Sequence, residues 1–222
     1  MNADLLVVVA HPDDETLHCG ALIAQAARRG EHVVTVTLTR GGKGRTLGMC
    51  TSADLPRLRE KELRSAAEVL GITHAVVHDL PDGQLAETEE EGVRLVRGAL
   101  LQWQPTAVVG FPPNGLNGHP DHCAAHRITV TALAEPLTGS AAPDLWLMTS
   151  GTAYAEPPRD GYLPPSEVER TRMSATLHVA VGDSLETKLR AMGCYESQAR
   201  STAKILRCYP EKLLTEAFHQ VR

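Results

Sequence analysis

Leu5-Leu6-Val7-Val8-Val9-Ala10-His11-Pro12-Asp13-Asp14-Glu15 opens the chain with an apolar run that ends abruptly in one imidazole and three carboxylates. Five consecutive large apolar residues without in-out alternation predict a strand buried on both faces, as in a parallel sheet covered by helices. Charge at the mouth of such a strand is costly unless something there uses it. The pattern repeats downstream. Strand-like runs over residues 4–10, 32–38, 75–78, 106–111 and 145–149 alternate with helical patterns over 16–29, 54–70, 87–103 and 120–133. This alternation predicts an α/β fold: a Rossmann-like, mainly parallel sheet of five parallel strands with helices on both faces. Residues 151–176, rich in Pro, Gly, Arg and Glu, are expected to form a surface loop or small cap. A strand over 177–181 follows, and then a helix capped by Asp183 that runs to Met192. Residues 1–222 are expected to form a single domain.

A second polar cluster, His119-Pro120-Asp121-His122, follows the run Ala107-Val108-Val109-Gly110-Phe111. Both clusters therefore fall just past the carboxyl ends of strands, where open α/β sheets place their ligands. Together they offer the nitrogen and oxygen donors of a mononuclear metal site, with three protein ligands and an open position for water. His11, one of Asp13 and Asp14, and a histidine of the second cluster make such a set. Neighbours on an extended loop point apart, so the other aspartate is left to face the water as a general base. Spacing alone does not say which aspartate takes which role. Pro120 suits the first turn of a helix, which brings His119 and His122 together, one for metal and one for substrate. Asp121 is expected to hydrogen-bond a neighbouring ring nitrogen and favour the protonated form that a general acid needs. Any one of these residues alone would read as a helix cap or a satisfied polar side chain. Jointly they do not, because clustered buried carboxylates without a cation repel each other and shift toward neutrality.

Composition narrows the function classes. The 222 residues are 42% apolar and 22% charged, which is ordinary for a globular domain. A net charge of -5 without a Lys/Arg-rich stretch argues against a nucleic-acid or anionic-membrane partner and for a small-molecule substrate. No apolar run near the N-terminus approaches bilayer length, and no basic leader precedes it, so a cytoplasmic protein without membrane insertion is expected. Five cysteines without a CxxC pair predict reduced thiols, with Cys19, Cys50 and Cys123 read as packing residues. The loop Thr39-Arg40-Gly41-Gly42-Lys43-Gly44-Arg45-Thr46-Leu47-Gly48 lacks the GxxxxGK[ST] spacing of a phosphate-binding loop.

Ala10-His11-Pro12-Asp13-Asp14-Glu15 with Gly118-His119-Pro120-Asp121-His122 resembles the paired signatures of the PIG-L/LmbE-like zinc-dependent N-deacetylases. The resemblance implies an LmbE-like fold over the whole chain and the hydrolysis of an N-acetylglucosamine conjugate to acetate and a free amine. It implies zinc held by His11, Asp14 and His122, with ferrous iron accepted by the same kinds of donor. By the same matching Asp13 is the general base, His119 stabilises the oxyanion or protonates the leaving amine, and Asp121 tunes His119. The segment Arg59-Glu60-Lys61-Glu62-Leu63 resembles the family helix whose arginine contacts the sugar, and Leu80-Pro81-Asp82-Gly83 resembles a family turn. Tyr195-Glu196-Ser197-Gln198 is similar to a pocket-wall segment in which Gln198 holds a hydroxyl or another loop. The 39–48 loop looks most like that of bacillithiol-type enzymes, whose substrate carries malate, with Arg40, Lys43 and Arg45 facing its carboxylates. Expected partners are thus a small amino-sugar conjugate and, in the assembly, a second copy of the chain. Two rivals are an amidase of a thiol conjugate and a non-catalytic metal or sugar binder, and a pure metal binder has no need of Asp13 or His119.

Overall fold

The computed structural model describes residues 2–135, 137, 141–150, 152 and 156–221. The opening valine run forms β1 (Leu5–Val9), buried at every position, and a second continuous run forms β2 (Val33–Thr39), also buried throughout. Between them α1 (Asp14–Arg28) packs its apolar side onto the sheet. The chain continues through α2 (Leu55–Leu70), β3 (His74–Leu80), α3 (Glu89–Trp103), β4 (Ala107–Gly110), α4 (Pro120–Ala134) and β5 (Asp144–Thr149). These five strands are parallel, as the sequence predicts.

The C-terminal third adds α5 (Pro165–Arg170), β6 (Leu177–Ala180), α6 (Leu185–Gly193), α7 (Ala199–Cys208) and β7 (Thr215–Val221). β7 inserts antiparallel between β5 and β6, giving the order β3-β2-β1-β4-β5-β7-β6. The sequence does not reveal β7 or α7, and residues 165–170 of the expected loop are helical. The helix expected to be capped by Asp183 begins at Leu185, after a 3₁₀ turn over Gly182–Ser184, and no side chain caps it. Helices α1, α2 and α6 pack together, while α3 and α4 pack together as a second layer.

Strand order reverses at β1, which pairs with β2 on one side and β4 on the other. A crevice must open at such a point, because the crossovers leave to opposite faces. The turns after β1 and β4 carry the two polar clusters into that crevice. A cavity of about 850 Å³ lies there, walled by the 43–45 loop, the turn after β4, and residues 156–173 and 198–212.

Candidate active site

Asp13 occupies the position before α1 with φ 108°, a left-handed backbone at a residue that has a Cβ. Such strain persists only where the surroundings over-determine it. Glu15 supplies part of the hold: its Oε2 accepts the Asp13 backbone N–H at 3.2 Å. Its Oε1 accepts the Thr16 and Tyr195 hydroxyls, each at 2.5 Å. The strained turn separates the two aspartates. Asp14 faces His11 and His122, and Asp13 faces Arg59.

His11, Asp14 and His122 are all buried, and each brings one ligand atom to within 4.8 Å of the others. Orientation is set by outer contacts. His122 Nδ1 meets the Gly115 carbonyl at 3.0 Å, which directs Nε2 toward Asp14 Oδ1 at 3.4 Å. The His122 ring is also stacked between Phe111 and His119, at centroid distances of 4.1 and 4.6 Å. His11 Nε2 meets Asp121 Oδ2 at 3.0 Å and Asp82 Oδ1 at 3.1 Å, leaving Nδ1 on the side of Asp14. A histidine whose far nitrogen is held by carboxylates is the usual arrangement of a metal ligand. Two imidazoles, a carboxylate and this outer shell fit a tetrahedral divalent cation with one open position.

Electrostatics follow from the crowding. Burial opposes charge on His11, but the hydrogen bonds from Asp121, Asp14 and Asp82 overcome it and hold the ring well above its usual value. Burial alone would raise Asp14, yet the His122 and His11 charges keep it far below the ordinary carboxylate range. Asp13 goes the other way: burial raises it to about 7, with Asp14 and Glu15 adding and Arg59 opposing. A carboxylate poised near neutrality is suited to take up and return a proton.

The structure adds contacts that residue spacing does not specify. The Asp121 carboxylate makes no hydrogen bond to the His119 ring among the described residues and acts on it through its charge, which raises the His119 pKa; its oxygens accept from His11 and from the backbone N–H groups of Gly83 and Leu85, at 2.6 and 3.1 Å. His119 instead caps α4, its Nδ1 accepting the Asp121 backbone N–H at 3.1 Å. Burial and the neighbouring His122 and His11 charges depress its pKa to about 2. His119 is therefore neutral, with its proton on Nε2, placed to act as a hydrogen-bond donor. Arg59, expected to contact a sugar, is 4% exposed and lines the cavity, with its guanidinium on the Pro12 carbonyl, the Gly41 carbonyl at 3.0 Å and Asp13 Oδ1 at 3.2 Å. Gly41, at φ +64°, makes this approach possible, since a Cβ there would overlap the guanidinium.

Gln198 lines the cavity and donates from Nε2 to the Arg45 carbonyl at 3.1 Å, so of its two expected roles it performs the holding of a loop. Arg45 and Lys43 line the cavity, whereas Arg40 turns away to Glu60 and Asp79. Asp82, which the sequence gives as a turn residue, joins the site through His11 and also accepts the Lys43 backbone N–H at 2.6 Å. His18, one turn after Asp14 on α1, enters the cavity wall as well. Helical spacing alone would have pointed to it.

Comparison with known proteins follows this geometry. The family described as "PIG-L: GlcNAc-PI de-N-acetylase" matches residues 6–133, which include both polar clusters. A 1D-myo-inositol 2-acetamido-2-deoxy-alpha-D-glucopyranoside deacetylase of Thermomonospora curvata is 33% identical over 69% of this chain and 60% of its own length. The protein of the same name from Mycobacterium sp. (strain KMS) is 32% identical over 92% of this chain and 77% of its own. The chain thus spans about 60% of the first of these relatives. Among solved structures, N,N'-diacetylchitobiose deacetylase from Pyrococcus horikoshii superposes with a TM-score of 0.73 at 21% identity, covering 99% of this chain and 84% of that one. A 4-carboxy-2-hydroxymuconate hydratase from Pseudomonas putida KT2440 does so with 0.74 at 17%, covering 100% and 97%. At these identities the likeness is one of fold, and the two neighbours carry names of different reactions, so the fold alone does not select the chemistry.

Proposed function

Because this chain belongs to the PIG-L family, we propose that it hydrolyses the N-acyl group of an N-acetylglucosamine conjugate in a metal-dependent reaction that yields acetate and the free amine. The observation that carries this reading is the meeting of His11, Asp14 and His122 beside Asp13, a carboxylate poised at about 7. A bound divalent cation, for which we propose zinc, supplies Lewis acidity to the amide carbonyl and to water.

The protein's own groups do the rest. Asp13 accepts a proton from the attacking water, and Arg59 holds the carboxylate in place. His119, pinned neutral by the backbone N–H at its Nδ1, donates its Nε2–H to the oxygen that gains charge as the carbonyl becomes tetrahedral. Because His119 does not itself carry a spare proton, the one taken by Asp13 is the one delivered to the departing amine. Water thus contributes its hydroxyl to the acyl carbon and its proton to nitrogen.

The family relatives named above act on an inositol conjugate according to their names. The malate conjugate expected from the loop has support of a different kind, in the cavity-facing Lys43 and Arg45. Acetate release from N-acetylglucosaminyl-inositol, N-acetylglucosaminyl-malate and the plain sugar, with and without a chelator, tests both levels. Loss of acetate release on chelation is expected, and unchanged turnover in the chelated protein would refute the metal-dependent reading.

A further inference from the structure

The cavity has a second polar region outside the metal cluster, where α1, α6 and β7 meet. Two lysines sit there, and their situations differ. Lys188, fully buried on α6, pairs with Glu216 Oε1 at 2.7 Å and donates to the Lys212 carbonyl at 3.0 Å. Two carboxylates lie in this region and both are engaged: Glu216 Oε1 and Oε2 also accept the backbone N–H groups of Ala21 and Leu22, each at 2.8 Å, and Glu211 Oε1 accepts the Thr152 hydroxyl at 2.7 Å. Lys212, half-buried just before β7, forms no ion pair among the described residues. Its ammonium donates to His18 Nδ1 at 2.9 Å. Both side chains line the cavity.

That contact defines the chemistry. An ammonium has three N–H donors and no acceptor, so His18 Nδ1 accepts and its proton sits on Nε2. Two N–H groups of Lys212 and the Nε2–H of His18 have no further partner among the described residues. Three donors and an ammonium that no carboxylate contacts directly, at the wall of a substrate-sized cavity, make an anion receptor. Burial, and then the charge of Lys188, lower Lys212 to about 8, with Glu216 and Glu211 opposing from a distance, so the ammonium predominates at neutral pH without a carboxylate in direct contact.

We propose that Lys212, oriented by His18, binds an anionic group of the substrate, a carboxylate or a phosphate, one helical turn from the metal-binding Asp14. This assignment rests on the deacetylase reading only for the identity of the reaction; the binding site itself stands on the lysine and its environment. It makes the protein selective for charged over neutral conjugates.

The test compares metal-loaded wild type, Lys212→Gln and Lys212→Arg on three substrates: methyl N-acetylglucosaminide, N-acetylglucosaminyl-malate and N-acetylglucosamine 6-phosphate. The measured quantity is the ratio of kcat/KM for each charged substrate to that for the neutral one, which is independent of the fraction of active protein. Wild type is expected to prefer at least one charged substrate, and which one identifies the anion. Lys212→Gln should lower that ratio about tenfold, through KM, as expected for loss of a charge-assisted contact. Lys212→Arg should retain most of it, and this variant still decides the matter if Lys212→Gln does not fold. A ratio unchanged in Lys212→Gln, or no charged preference in wild type, overturns the proposal. If no substrate releases acetate, the deacetylase reading fails separately, and calorimetric titration of malate and inorganic phosphate decides on Lys212: binding lost in Lys212→Gln supports it, and equal or absent binding refutes it.

Discussion

Asp13 combines a strained backbone, a near-neutral carboxyl and an arginine partner, and each of these can be probed separately. Asp13→Asn keeps the size and the turn but cannot accept a proton. Activity should fall by about 10²- to 10⁴-fold, the usual contribution of a positioned base, with metal content unchanged by elemental analysis. Turnover near wild type would remove Asp13 from that role. Arg59 lowers the Asp13 pKa by its charge. Since Asp13 must be unprotonated to act, Arg59→Met should move the acid limb of kcat/KM to higher pH by about 1 unit or more, the effect expected for loss of an adjacent opposite charge. An acid limb that stays in place would show that another group titrates there. His11, Asp13, Asp14, His119 and His122 were legible in the sequence because their types and spacing already describe a ligand set. The neutrality of His119 was not, because it depends on burial beside two other histidines brought together by the fold, and its tautomer on one backbone N–H meeting Nδ1 at the start of α4.

At the scale of elements, α1 is anchored at its start and at its middle. Glu15 and Tyr195 fasten its start, and Glu216 of β7 fastens its middle through Ala21 and Leu22. Replacing Glu216 by Ala leaves Lys188 buried without a counter-charge and two backbone donors unmet. A loss of about 3–5 kcal/mol is expected, the usual cost of breaking a buried pair from one side. Urea unfolding measures it as a lower midpoint, and a cost under about 1 kcal/mol would mean that water or another acceptor replaces the carboxylate. The same residue explains why β7 was not legible. Its inward positions are Glu216 and Phe218, so an apolar alternation is interrupted by a glutamate whose partner lies on α6. The central strands β1, β2 and β4 carry no charged residue, and their valine-rich runs announce them. α7 offers no buried residues: its side chains Ser201, Lys204 and Ile205 line the cavity, so its periodicity does not mark a core-facing stripe.

Across the whole molecule, the crevice at β1 gathers Asp13, Asp14, Glu15, Asp82 and Asp121 around three histidines, an arrangement that repels itself without a cation. A ligand held at a hundred times its Kd stabilises the folded state by about 2.7 kcal/mol. For a chain of 222 residues, each kcal/mol moves Tm by about 2–4 °C. Chelation should therefore lower Tm by about 5–11 °C at neutral pH. The gap should also depend on pH, with a definite sign. In the metal-free protein the raised pKa of His11 lets an imidazolium stand in for the missing charge. Its stabilisation is fully present below the unfolded value of about 6.5 and is lost as pH rises through the elevated folded value. Metal loading acts in the opposite direction, because its ligands must be unprotonated and the cation competes with protons. Calorimetric melting of loaded and chelated protein should then show curves that converge toward low pH and separate as pH rises. A gap that is constant with pH, or no gap at all, would mean that the carboxylates are balanced by the fixed charges of the fold rather than by an exchangeable ion.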